Sequence, residues 1–219
     1  MNLQAQLADY VARMKMEQAA RNQMWQDLKR GRKTEIDYLQ GAIIALADRH
    51  GVDVPLRGVL HRVVHRRGER GTVWTEISSA GDRVLCVAGE AAHLNRRVSD
   101  FLRREAARDL AAAVRRYARE LGVPIRRISV RDQSSRWGSC SNTGALSFSW
   151  RLVLAPAFVL DYLAAHEVCH LVELNHSPRF WRLVERLYPE LERAKVWLDV
   201  HGTDLHRYGL SARRATHDV

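Results

Sequence analysis

The residues best suited to chemistry crowd into one stretch, HEVCHLVELNH, residues 166–176, where three histidines and a glutamate sit at offsets 0, 4, 10 and 1. On a helix turning about 100° per residue, His166 and His170 lie about 40° apart, one turn from each other. Two imidazoles so placed can bind one zinc ion. Glu167, next to the first histidine, can lie beside the ion without ligating it. From there it could take a proton from the attacking water, the general-base role in metal-assisted hydrolysis.

A third ligand cannot come from a straight helix. Asn175 is a tolerable left-handed terminator, and Ser177-Pro178 starts another helix, with serine as N-cap and proline in the first helical position. His176 is thus expected in a corner between two helices, its ring turned back toward His166 and His170. Three protein ligands leave a fourth position for water, which is the catalytic rather than the structural arrangement of zinc. The competing reading, a helix whose histidines pair with core carbonyls, must bury these polar groups at a cost.

These residues need elements to hold them. A helix is expected from Pro156 to about Leu174, apolar through Phe158, Val159, Tyr162, Leu163, Val168 and Leu171. Upstream, ALSFSWRLVL, residues 145–154, reads as a strand leading into that helix. It is a candidate edge for aligning an extended peptide by main-chain hydrogen bonds. Another strand is expected at about 126–131, with the loop DQSSRWGSCSNTG between the two. Before these, Ser99 reads as the cap of a helix over Asp100–Leu121, ended by Gly122 and Pro124. LHRVVHRR, GTVWTEIS and DRVLCVAG read as three strands between about 59 and 88. The first 56 residues read as a helical appendage, with helices over 3–29 and 34–50 around the basic break KRGRK. The expected organisation is therefore an appendage over 1–56 and a catalytic domain over 57–219, of the α+β class.

The composition sets outer limits. With 219 residues and 46% hydrophobic content the chain can build a packed core. The net charge of +10 is carried almost entirely by arginine, and such a surface attracts polyanions, so nucleic acid or a nucleotide is a possible partner. Three cysteines, Cys86, Cys140 and Cys169, do not form a secreted disulfide framework. No apolar run reaches membrane-spanning length, and the N-terminus lacks a signal-peptide core. A cytoplasmic location without a membrane partner is expected.

Smaller features are assigned to structure first. Cys140 and Cys169 fall near the motif, but a cysteine among apolar residues is usually core. His61 and His65 lie four apart on a predicted strand, where that spacing does not converge. Trp137, Trp150, Phe180, Trp181 and Trp197 are expected to pack around the site. Arg136 and Arg151 are candidates to clamp an anionic group, against the default of solvated arginines.

RWGSC, SWRL, DYLAAHEVCHL and NHSPRFW together resemble the YgjP-like metallopeptidase family, relatives of the SprT and WLM zinc peptidases, over about residues 58–205. The resemblance implies a zincin-like domain: a small sheet and a helix bearing HExxH. It implies one zinc ion per chain held by His166, His170 and His176, with Glu167 as the catalytic glutamate. Two positions depart from the family's usual pattern: Ser149 stands where asparagine is usual, and Ser134 where lysine is frequent. Neither is a ligand, so the departures bear on substrate contacts rather than on the metal. Residues 24–55 separately resemble part of the C-terminal helical domain of ketopantoate reductase, with Glu35 at a substrate-contacting position of that family. The chain has no GxGxxG and no room for a dinucleotide domain, so reductase activity does not follow.

The expected function is a zinc-dependent hydrolase, a metallopeptidase acting on a peptide or protein substrate, with Glu167 as general base and acid. Two alternatives use the same residues. One is a UTP-type nucleotide pyrophosphatase, although no Gly-rich phosphate loop or acidic magnesium cluster is visible. The other is a nucleic-acid-binding protein, or a DNA-associated protease, with a mainly structural zinc. Oligomeric state is not readable from the sequence.

Overall fold

The computed structural model describes residues 53–133 and 136–205. The helices expected over 3–29 and 34–50, and Glu35 with them, lie outside the described residues.

The described chain is mixed α+β, with two small sheets and four α-helices. The first sheet contains β1 (Asp53–Leu56), β2 (Val59–Arg66), β3 (Val73–Ile77) and β4 (Arg83–Ala88), in the order β1-β2-β4-β3. The three expected strands are there, and β4 is buried along nearly its whole length because it sits between β2 and β3. β1 is an addition. It pairs antiparallel with β2 across a two-residue turn, in which Arg57 and Gly58 both take positive φ, 53° and 75°. Gly58 is also pressed against Pro156, where a Cβ would come within 2.9 Å of the proline Cα. This turn donates Arg57 N–H to Val153 and Gly58 N–H to Leu154, tying the first sheet to the entrance of the motif helix.

Helix α1 spans Leu94–Leu121, six residues longer at its start than expected from Ser99. Leu94, Val98, Leu102, Ala106, Leu110, Val114 and Tyr117 form one buried stripe, and burial of Leu94 and Val98 draws the helix back past the serine. Gly122 ends it at φ 66°, the left-handed position that glycine occupies without strain.

The second sheet contains β5 (Arg127–Arg131), β6 (Gly138–Cys140) and β7 (Ala145–Ser149), in the order β5-β7-β6. The expected strand over 145–154 is therefore shorter: it stops at Ser149, whose Oγ accepts from Arg151 N–H, and Trp150–Val153 form a buried 3₁₀ turn. β7 is central rather than an edge, parallel to β5 and antiparallel to β6. The edge strand next to the motif helix is β6, inside the segment read as a loop.

Helix α2 spans Ala157–Cys169, α3 Pro178–Leu187 and α4 Leu191–Leu205. α2 is the central helix. It packs on α1, β6, α3 and α4, and nine of its thirteen residues are buried, so it is apolar nearly all round, as a core helix must be.

Candidate metal centre

α2 ends sooner than its apolar pattern suggests, with His170 as its C-cap. Residues 171–173 continue in tight turns, Glu173 N–H still bonding to Cys169 O at 2.9 Å. The corner is made without a left-handed residue: Arg57 is the one non-glycine residue of positive φ among those described. The turn expected from Asn175 thus comes from the irregular stretch 170–177 as a whole. The restart is as expected: Ser177 caps α3, its Oγ accepting from Phe180 N–H at 3.3 Å, and Pro178 takes the first turn.

This path brings the three histidines together. His176 Nε2 lies 3.1 Å from His166 Nε2 and 3.2 Å from His170 Nε2. One donor atom from each lies within 4.8 Å of the others, a group that could hold a metal ion. Two nitrogens each about 2.0–2.1 Å from one tetrahedral zinc would be roughly 3.3–3.4 Å apart, so the observed spacings suit a zinc-sized cation. The ring orientations agree. His170 Nδ1–H donates to Glu173 O at 3.1 Å, which leaves its Nε2 lone pair facing the cluster. Burial is the main cause holding His166 down to about 3, with the neighbouring imidazoles and Lys195 adding to it, and burial also lowers His170. Both rings are thereby kept neutral, the form that binds metal.

An aromatic shell fixes the rings. Phe180, fully buried, stacks on His170 with centroids 4.4 Å apart and meets His166 and His176 edge-on at 4.9 and 4.8 Å. Trp181 stacks on His176 at 5.6 Å and carries Lys195 Nζ of α4 over its ring at 4.4 Å. Tyr162 places its ring against His166 at 5.9 Å. Of the aromatic residues expected around the site, Phe180 and Trp181 touch the histidines directly. Trp150 is buried beneath Arg151, and Trp197 packs on His201. Trp137 packs against α4 where a Cβ on Gly202 would meet its ring at 3.4 Å.

Glu167 is 5% exposed and lies against Gly138 of β6. A Cβ built on Gly138 would fall 2.5 Å from its Oε1, so only glycine lets the strand pass this close. Burial pushes the carboxyl up to about 7, opposed by the positive charge of Arg136. A carboxyl poised there can take and return a proton near neutral pH. Gly138 and Lys195 were not singled out by sequence, since a lone glycine in a polar loop and a lysine twenty-five residues beyond His170 carry no local pattern.

The remaining candidates separate. Neither Cys140 nor Cys169 belongs to the donor group. Burial raises both thiols, Cys169 to about 12, which disfavours the ligating thiolate. His61 and His65 bond to the carbonyls of Val59 and Gly89. Arg151 is 1% exposed and ion-paired with Asp132, so it serves the interior; Arg136 remains exposed near Glu167.

Among known families, the one described as "YgjP-like, metallopeptidase domain" matches residues 28–201. That span begins upstream of the described residues and takes in the first sheet, the motif helix and most of α4. No curated protein and no solved structure matches the chain.

Proposed function

The chain belongs to the YgjP-like metallopeptidase family, and from that premise we propose that it is a zinc-dependent peptidase with His166, His170 and His176 as ligands and Glu167 as general base. The convergence of three imidazole nitrogens within 4.8 Å, one residue away from a buried carboxyl, carries the reading. Zinc, one per chain, would supply Lewis acidity, making water nucleophilic near neutral pH and polarising the scissile carbonyl.

The chain's own groups do the rest. Phe180 and Trp181 hold the rings of the three ligands in place. Glu167 accepts the proton of the attacking water and returns it to the departing amine. β6, hydrogen-bonded to β7 along one edge only within its sheet, offers its other edge to an extended substrate. Arg136, exposed beside the carboxyl, is placed to meet negative charge as it develops. Among the described residues no helix is long and apolar enough to cross a membrane. The three cysteines are free, which supports a reducing, cytoplasmic setting.

The test compares cleavage of unstructured protein substrates by the zinc-loaded chain and by Glu167→Gln. Cleavage lost in the variant, with zinc content retained, supports the reading. Equal cleavage by both proteins overturns the role of Glu167. Release of phosphate or pyrophosphate from nucleoside triphosphates, with no peptide cleavage, would favour the pyrophosphatase alternative.

A further inference from the structure

Two depressions on the surface share residues. One, of about 330 Å³, is lined by His170 and Leu174 at one end and by Ile125 and Arg126 at the other. The second, of about 530 Å³, starts from the same Ile125 and Arg126 and continues between α1 and β5, past Arg127, Arg115 and Val130. Through the shared Ile125 and Arg126 the two depressions adjoin, running from beside His170 to the outer strand of the second sheet. Its floor is apolar, with Ile125, Ile128, Val130 and Ala111, and Leu174, 60% exposed, sits near its entrance. Its rim is basic. Arg115, Arg126 and Arg127 are exposed and form no ion pair among the described residues, in contrast to Arg103, Arg108 and Arg116, which are paired with Asp132, Glu105 and Asp161. Neither depression has a carboxylate in its lining. β5 is an end strand, bonded to β7 on one side only within its sheet.

We propose that this path is an exosite for an acidic, extended segment of the peptide substrate, lying along β5 with its carboxylates on Arg115, Arg126 and Arg127 and its apolar side chains on the floor. The proposal rests on the peptidase reading and adds the substrate class. An extended peptide alternates its side chains between two faces, which suits a groove with an apolar floor and a charged rim. Single-stranded nucleic acid is the weaker fit, because it is held by basic grooves that also carry aromatic stacking platforms, and no Phe, Tyr or Trp lines either depression.

The experiment measures binding separately from catalysis, in the full-length Glu167→Gln protein. The probes are a fluorescein-labelled peptide alternating Glu with Val, its Lys-Val counterpart, and a labelled oligothymidylate of equal charge. Anisotropy is read for the parent, for Arg115→Glu/Arg127→Glu, and for Arg67→Glu/Arg83→Glu, an equal charge change at two exposed residues beside the first sheet, one in the turn after β2 and one starting β4. The proposal expects the acidic peptide to bind the parent and the first-sheet variant alike. It expects roughly tenfold or greater weakening in the groove variant, a gain there for the Lys-Val peptide, and loss of binding with rising salt. Equal weakening in both double variants would reduce the effect to net charge and overturn the site. So would failure of the acidic peptide to bind, or preferential groove binding of the oligothymidylate. Circular dichroism and melting temperature confirm that each variant is folded. Because no step requires turnover, loss of the peptidase reading and loss of the exosite are read independently.

Discussion

Gly138 and Glu167 are fitted to each other so closely that a Cβ on the glycine would lie 2.5 Å from Oε1 and 2.7 Å from Cγ of the glutamate. The absent side chain on β6 is what allows the carboxyl to stand beside the strand edge instead of being driven from it. A carboxyl in that place is buried, and burial raises it to about 7.

Gly138→Ala therefore displaces Glu167 without touching the histidines. The expected result is a loss of kcat of about 10²-fold, the scale of a 1 Å misplacement of a catalytic group, with zinc stoichiometry unchanged. Single-turnover peptide cleavage beside metal analysis checks this. Full activity in the variant would mean that Glu167 does not need its present position.

The raised Glu167 carboxyl also sets a pH dependence for the metal-free chain. Below its ordinary value of 4.5 the group is protonated in both native and unfolded states, and the native state pays nothing for it. Between 4.5 and about 7 the unfolded chain releases the proton while the native chain keeps it, so stability falls as pH rises through this window. The full loss is about 3 kcal/mol. Glu167→Gln removes it. Denaturant midpoints of the two chelated proteins should agree near pH 4 and diverge above about 7, with the variant more stable. His166 and His170 are common to both and cancel to first order. Parallel curves would contradict the assignment of a buried, raised carboxyl.

Phe180 supports all three histidine rings from a fully buried position at the start of α3. Phe180→Ala is expected to cost about 3–5 kcal/mol of stability and to weaken zinc binding as well, since the rings lose their common support. Phe180→Leu should restore most of the stability but less of the zinc affinity, because it fills volume without stacking on His170. Calorimetry and competitive zinc titration separate the two effects. Zinc affinity untouched in both variants would show that the rings are held by other contacts.

The motif was readable because its signals are local. Helical spacing joins His166 to His170, and Ser177-Pro178 marks the restart that returns His176 to them. What escaped depends on distant partners. β6 is three residues long, too short to show a period, and exists because β7 offers it a ladder. WRLV is apolar enough to continue the strand, and its 3₁₀ turn is set by Ser149 and by the Arg57–Gly58 turn that bonds to Val153 and Leu154. Ser99 looked like a cap because serine favours that place, whereas Leu94 and Val98 extend the buried stripe of α1 beyond it. Asn175 looked like the turn for the same kind of reason, while the chain spreads the bend over several residues. The role of Gly138 could be seen only once Glu167 had a neighbour.

The most direct measurement is the metal content of the purified chain, beside His166→Ala, His170→Ala and His176→Ala, with zinc titrated into each chelated protein. The account predicts about one zinc per parent chain, a rise in melting temperature on zinc addition, and strongly weakened binding in each of the three variants. Failure of zinc to bind the parent or to raise its melting temperature, or binding that is indifferent to these histidines, would contradict it.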